Sequence, residues 1–439
     1  RLMDVFGTMG AFAIKGAHFE RAAALFEEYQ KRFPKQKNAN ELLLRASSIR
    51  TFLGQYDLAG KDLRLIRGVG TPPQRAMAHE RLMEIYRDIG DWGQLARVAQ
   101  TAFQATRSSA ASALLGVAYA EQGKDQLAER ELAKAAGGRG GSEFETVAKA
   151  QALFTYGQLF HKEFDATQFA GADTAEAILG RKLQLREVIE KAYNATTATG
   201  SGNWAIAALH ELARLHEGMG QALARVPLPE ALSPQEEAAA RQQLQAQADQ
   251  WTNSAKQMKQ ACATKAEQLR IFTKFGSACV TGGAPTVSGV IKRRRADVSD
   301  QGYNQELATL RQELVKKPSN LDMLLKLARR SMQQGDYHLA KLVLSRASEV
   351  DPRSASVQNL LGVASWHLGE PAAAHEALEK AAKRRLREAV VNLAALYHEY
   401  GYQRLAKRRL SVAGSVSNVD TTVVEIHPSV EKLKEDGGV

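Results

Sequence analysis

Leu327-Ala328-Arg329-Arg330-Ser331-Met332-Gln333-Gln334-Gly335-Asp336-Tyr337-His338-Leu339-Ala340 has two echoes further along the chain. Leu361-Gly362 and Leu393-Ala394 occupy the place of Leu327-Ala328, and Gly369 and Gly401 that of Gly335, at spacings of 34 and then 32 residues. Behind each glycine the columns stay in step: Ala340, Ala374 and Ala406, then Leu344, Leu378 and Leu410, then Ala347, Ala381 and Ala413. Small residues at a fixed column let two helices approach closely, the glycine ends the first helix of each pair, and the leucines fill the seam between pairs. The pattern predicts stacked helical hairpins.

Working outward, Pro352 closes the segment 321–354, and Lys316-Lys317-Pro318-Ser319-Asn320 punctuates the chain one repeat earlier. The N-terminal half carries the same columns. Segment 109–142 reads Leu115-Gly116, Tyr119, Gly123, Ala128, Leu132, Ala135, and segment 3–36 reads Met9-Gly10, Ala22, Phe26, Tyr29, Pro34, with looser copies near 40–73 and 76–108. On these positions the chain resembles the tetratricopeptide repeat, whose pattern of Leu-Gly, Tyr, Ala, aromatic or Leu, Ala and Pro recurs over about 34 residues. About seven repeats are legible. The resemblance implies an all-α chain, an α-solenoid of stacked antiparallel helix pairs forming a tetratricopeptide superhelix.

Between the repeats, residues 143–283 read as helical but irregular. Gly137-Gly138-Arg139-Gly140-Gly141 makes a joint, and Pro227, Pro229 and Pro234 interrupt the chain. Ser233-Pro234-Gln235-Glu236 reads as a capping box with proline at the first helical position, opening a long Gln/Ala/Glu-rich helix to about Leu269. The texture from Trp204 through Leu228-Pro229-Glu230-Ala231-Leu232-Ser233 to Cys279 resembles the long-helix insert of large cell-envelope tetratricopeptide proteins of myxobacteria, gliding-motility components among them. Segment boundaries follow: an N-terminal array at 1–142, the long-helix segment at 143–283, a linker at 284–302 carrying Lys292-Arg293-Arg294-Arg295, a C-terminal array at 303–416, and a tail at 417–439. In the tail, Val419-Asp420-Thr421-Thr422-Val423-Val424-Glu425-Ile426 is a β-prone run with two expected uses, capping the last repeat or pairing with a partner.

Composition narrows the function classes. The 439 residues are 44% hydrophobic and 24% charged, enough to bury several domain-sized cores, and the net charge is +11. No apolar run reaches the roughly 18 residues of a membrane-spanning helix. Arg1 opens the sequence and Leu2-Met3-Asp4-Val5-Phe6 reads as the middle of an element, so any targeting segment or lipid anchor is expected ahead of it. Catalytic patterns fail on inspection. His210-Glu211 starts like a zinc-protease helix, but Arg214 stands where the second histidine is needed, and His375-Glu376 fails in the same way at Glu379. Gly200-Ser201-Gly202-Asn203-Trp204-Ala205 has dinucleotide-fingerprint spacing without a βαβ unit around it, and Gly123-Lys124 is the turn of a repeat. His216 and His398 are isolated on helices. The expectation is a chain that is not an enzyme and takes no cofactor or metal.

Two cysteines, Cys262 and Cys279, are informative together. Were the helix straight through Phe275, Cys262 would lie about 20 Å from that end, too far for four residues to bring Cys279 back. A turn at Arg270-Ile271-Phe272-Thr273, with Thr273 capping a short returning helix, would bring the pair level. A bridge there closes a 17-residue loop and contributes about 3 kcal/mol by the chain-entropy model. It would place the chain in the periplasm or at the outer membrane, as the family resemblance also implies; two free buried thiols in the cytoplasm are the alternative.

Positive charge concentrates late in the chain, where Lys380, Lys383, Arg384, Arg385, Arg387, Arg404, Lys407, Arg408 and Arg409 face only Glu388 and Glu399. Such a face suits phosphates, anionic lipid head groups or an acidic protein surface. Aromatics make up 7% of the chain, thin support for base stacking.

The repeat resemblance points to binding in a concave groove. Its groove positions map onto Lys326, Arg329, Asn359, Trp366, His367, Asn392 and His398, with Trp366 as the anchor. The Lys/Asn clamp that some members use for a peptide carboxylate is absent, because Leu325, Val391 and Ala395 stand at its positions. In the N-terminal array, Ala110, Ala113, Val117 and Ala120 predict a narrow apolar groove that suits a helix or another part of the chain. The expected function is a protein-protein interaction scaffold of a multiprotein envelope assembly such as the gliding-motility machinery, with no small-molecule substrate. The alternatives are an RNA-binding α-solenoid and a module for peptidoglycan or anionic lipid.

Overall fold

The computed structural model describes residues 2–137, 141–285, 301–413 and 418–435, and these residues form helices and connecting turns without a strand. The chain is an α-solenoid of antiparallel helix pairs that divides into two compact units, Arg1–Gly90 with Gly289–Val439, and Asp91–Ser288. In chain order, the first unit opens with α1 (Leu2–Lys15), α2 (Phe19–Arg32), α3 (Ala39–Phe52), α4 (Tyr56–Val69) and α5 (Pro72–Asp88). The second holds α6 (Trp92–Thr106), α7 (Ser109–Glu121), α8 (Asp125–Ala136), α9 (Glu143–Ala166), α10 (Ala172–Thr197), α11 (Gly202–Ala224), α12 (Pro234–Leu269) and α13 (Lys274–Thr281). The first unit then resumes with α14 (Gln301–Lys316), α15 (Leu321–Gln333), α16 (Tyr337–Val350), α17 (Ala355–His367), α18 (Pro371–Ala382), α19 (Arg387–Glu399), α20 (Gln403–Ala413) and α21 (Ser429–Glu435).

The repeat columns act as their chemistry requires. Gly335, Gly369 and Gly401 take φ of 74°, 71° and 80°, the left-handed turn that only glycine adopts without strain. The helix after such a turn is capped at Asp336, whose carboxylate accepts from Leu339 N at 3.2 Å. A Cβ on Gly362 would lie 2.6 Å from Leu378 Cγ, and one on Gly116 2.7 Å from Leu132 Cγ, so the Leu-Gly column is where two helices meet at closest approach.

The first unit has a core that joins both ends of the chain. Ala17, Phe19 and Leu53 are buried with Leu307, Leu314, Leu324, Leu327, Met332, Leu339 and Val343. Arg346 Nη1 donates to Ile14 O at 2.9 Å, His338 Nδ1 lies 3.1 Å from Phe52 O, and Arg311 pairs with Glu20 at 3.4 Å. The segmentation read from repeat texture, with one array over 1–142 and another over 303–416, therefore differs from the compact units: the helices up to residue 90 share a core with the C-terminal array, and α6 to α8 belong with the long helices. The later boundary falls within the expected linker, and the earlier one falls at Gly90, a left-handed turn like those inside the repeats, so it takes contacts between sequence-distant apolar faces to draw it. Of the expected linker at 284–302, residues 286–300, with Lys292 to Arg295, lie outside the described residues, as do 138–140 of the glycine joint and 414–417, the end of the C-terminal array with the first residue of the tail.

In the second unit α9, α10, α11 and α12 run for 24, 26, 23 and 36 residues. The last starts at the expected capping box, with Ser233 Oγ accepting from Glu236 N at 3.3 Å and Glu236 Oε2 accepting from Ser233 N at 2.9 Å. Phe154, Phe164, Leu185, Ile189, Tyr193, Leu212, Leu215 and Met219 form its core. Arg270 leaves α12 in a left-handed conformation, Thr273 Oγ1 accepts from Gly276 N at 3.1 Å to start α13, and Cys262 and Cys279 are disulfide-bonded with Cα atoms 5.4 Å apart.

Candidate functional site

Helices α15, α17 and α19 are the first helices of successive pairs. Arg329, Asn359 and Asn392 stand one on each of them, and all three bond to the chain's own tail. The β-prone run from Val419 to Ile426 forms no strand: it is irregular, and the Asn359 and Asn392 side chains meet its backbone at Glu425.

Glu425 sits at the centre. Its carbonyl accepts from Asn359 Nδ2 at 2.8 Å and from Asn392 Nδ2 at 2.7 Å, while Asn392 Oδ1 accepts from His427 N at 2.8 Å. The two amides are themselves bonded, Asn392 Nδ2 to Asn359 Oδ1 at 3.0 Å, and both side chains are buried. Together they read one carbonyl and the N–H two residues later, which any extended chain presents. Side chains are read beside them. Arg329 Nε donates to Glu425 Oε1 at 2.6 Å, and the indole of Trp366 stacks on His427 with ring centroids 3.6 Å apart and planes 6° from parallel. His367 lies 4.4 Å from His427 and stacks in turn on Tyr337 at 4.0 Å. Trp366 Nε1 donates to Glu399 Oε1 at 3.4 Å, and Glu399 Oε2 accepts from Ser429 Oγ at 2.5 Å.

The electrostatics favour a neutral ring at that seat. Burial, with the nearby His367 adding to it, pushes the His427 imidazole down to about 2, and its Nδ1 accepts from Ser429 N at 3.2 Å, which only the unprotonated nitrogen does. Beyond the ring, Ile426 is buried, Val424 packs against the first unit's core, and α21 sets Val430 and Leu433 down beside α19.

The structure thus brings together Arg329, Asn359, Trp366, His367 and Asn392 around the tail; Lys326 is exposed, and His398 is half-buried near the end of α19. Glu425, His427, Glu399 and Tyr337 complete the arrangement and were not singled out from sequence. The signal for them was an acidic residue two positions before a histidine, ahead of Pro428. On the basic face, Lys383, Arg384, Arg385, Arg387, Arg404, Lys407 and Arg408 are exposed, whereas Arg409 pairs with Glu379 and Lys380 with Glu376 at 2.7 Å.

The second unit contains a buried polar cluster. Glu211 accepts from Arg214 Nη1 at 2.7 Å and lies 3.3 Å from His161 Nδ1 and 3.2 Å from His210 Nδ1. Burial alone would raise its carboxyl, but hydrogen bonds from His161 and His210 and the charge of Arg214 outweigh it and hold the group at about 2. No group of three or more His, Cys, Asp or Glu side chains able to hold a metal occurs among the described residues, and no described helix is long and apolar enough to cross a membrane.

No protein-family model matches the chain, and no curated protein matches it. Among solved structures the chain is similar to yeast Tom70, at 13% identity over 85% of this chain and 75% of that one, with a TM-score of 0.23. It is also similar to the APC/C hetero-tetramer Cut9-Hcn1, at 14% identity over 88% of this chain and 73% of that one, with a TM-score of 0.25, and to Naa15/Naa10 bound to HypK-THB, at 13% identity over 99% and 71%, with a TM-score of 0.27. At these scores the fold rests on the helix pairing described above and not on the likeness.

Proposed function

We propose that the chain is a non-catalytic protein-interaction scaffold that takes an extended segment of a partner into the groove of α15, α17 and α19. The observation that carries this reading is the asparagine pair, two buried amides spent on the backbone of an irregular segment. A buried amide is costly unless bonded, so a pair held in this way marks a surface shaped for polypeptide. The aromatic stack of Trp366 and the Arg329 guanidinium beside it supply the anchors by which one segment is told from another.

A finer reading places the scaffold in a bacterial cell-envelope assembly, periplasmic or associated with the outer membrane, of the gliding-motility type. Its support is the sequence texture of residues 204–279 and the Cys262–Cys279 bridge, since disulfides persist in oxidising compartments. The exposed cations from Lys383 to Arg408 favour a second, anionic surface, which RNA or anionic lipid would also satisfy.

The test is crosslinked affinity recovery from source-cell envelope fractions, with nuclease and high-salt arms and mass-spectrometric readout. A fixed set of proteins that survives both arms and is lost on Arg329→Glu with Trp366→Ala is the expected result. Recovery that vanishes with nuclease would assign the activity to the charged face and overturn the groove reading.

A further inference from the structure

The tail treats the groove as a ligand would. Ile426, Val430 and Leu433 are buried and Val424 packs against the core, while the stretch from Val423 to Ser429 is read by side-chain-to-backbone bonds, one ion pair and one ring stack, the contacts a bound segment makes. Thr422, Val423 and Pro428 remain exposed, and the Arg329–Glu425 pair stands partly in solvent, with 37% and 29% of the two side chains accessible. An ion pair so exposed is weak by itself. The segment is also tethered, and a tether supplies a high effective concentration without any new contact. The same bonds are open to any chain that offers the same groups, because the asparagine pair reads only main-chain atoms.

We propose that the tail from Val423 to Leu433 is a resident competitor for the groove, displaced by a partner segment of the same chemistry: an acidic side chain for Arg329, the carbonyl of that residue and the N–H two positions on for Asn359 and Asn392, and at that second position a flat imidazole or aromatic ring for Trp366. The proposal rests on the groove reading above and adds to it the occupant and the gate. The acidic position is set by Arg329, whose Nε donates to Glu425 Oε1 at 2.6 Å. The ring position is set by Trp366, on which His427 stacks, and by His367, which lies 4.4 Å from the His427 ring and stacks on Tyr337, so that the tail's ring links the two aromatic pairs. Glu399, which accepts from both Trp366 and Ser429, excludes a second acid at the ring position and so fixes the direction in which the segment lies.

A fluorescent 13-residue peptide with the sequence of Asp420 to Lys432 tests this by anisotropy against two full-length chains, the wild type and one carrying Glu425→Arg with His427→Asp. The altered tail places a cation against Arg329 and an acid against Glu399, so it should leave the groove open. The opened chain is expected to bind the peptide at least tenfold more tightly than the wild type, to lose that binding on Arg329→Glu, and then to accept a peptide bearing Glu425→Arg. Equal binding by the two chains, or binding by neither, would overturn the proposal. So would a wild-type dimer that dissociates in the opened chain, because the tail would then be given to a second copy. The groove reading fails separately: partner recovery indifferent to Arg329→Glu would sink it while leaving the competitor in place, and recovery lost on Arg329→Glu but equal for wild-type and opened chains would sink the competitor alone.

Discussion

Along α7, Ala110, Ala113 and Val117 are buried and Ala120 is half-buried, and α9 packs on α7, helix on helix. Along α15, α17 and α19 the cover is instead an irregular segment bonded to Arg329, Asn359 and Asn392. The two surfaces begin from similar repeats and diverge through a few side chains. Alanine and valine present no group that water can solvate, so the surface they make stays covered in the folded chain. Arginine and asparagine hydrate well when uncovered, so theirs can exchange one cover for another.

The largest expected effect breaks the apolar side. Val117→Asp should cost about 4 kcal/mol or more by burying an unpaired carboxylate, and should unfold the second unit as a whole without freeing α9 alone, as read by urea melts followed with hydrogen exchange. Next, replacing both Cys262 and Cys279 with serine should cost about 3 kcal/mol in the same melts, with groove contacts unchanged. On the polar side, Asn392→Ala should cost about 2 kcal/mol and be felt locally: amides of residues 420–433 lose protection while the helices keep theirs. Retained tail protection in that variant would count against the asparagine pair as the holder.

Acid should act in the same place. The ordinary histidine value is 6.5 and the docked His427 is held at about 2, so a released tail takes up a proton that the docked one does not. Docking is therefore at full strength above pH 6.5 and weakens by about tenfold per unit as the pH falls below it. His427→Phe should remove this dependence, and tail exchange rates at pH 7.5 and 5.5 would show it. The smallest effect belongs to Arg329→Ala, below about 1 kcal/mol because the ion pair is partly exposed; Arg329→Glu should exceed it, with partial rescue by Glu425→Arg.

The repeats were legible because they punish substitution locally: a glycine at φ 74°, and a column of small residues where a Cβ on Gly362 would lie 2.6 Å from Leu378 Cγ, leave a periodic mark. The long helices announced themselves through Ser233-Pro234-Gln235-Glu236, and the bridge through the turn that Cys262 and Cys279 require. The shared core of Phe19, Leu53, Leu314 and Leu324 left no such mark, since apolar faces look alike whichever partner covers them. Asn359 and Asn392 could be placed on the groove, but not their occupant. Val423 and Val424 read as strand formers, and nothing in an isolated segment says that its hydrogen bonds will be made by amide side chains.

The most direct measurement is residue-resolved hydrogen exchange on the intact chain at pH 7.5, read at the amide of His427, which Asn392 Oδ1 accepts at 2.8 Å. The account expects slowing of roughly a hundredfold or more relative to an unstructured amide, lost on Asn392→Ala while α15 to α19 stay protected. Exchange at the unstructured rate in the wild-type chain would contradict it, because the groove would then stand open and the tail would not be its occupant.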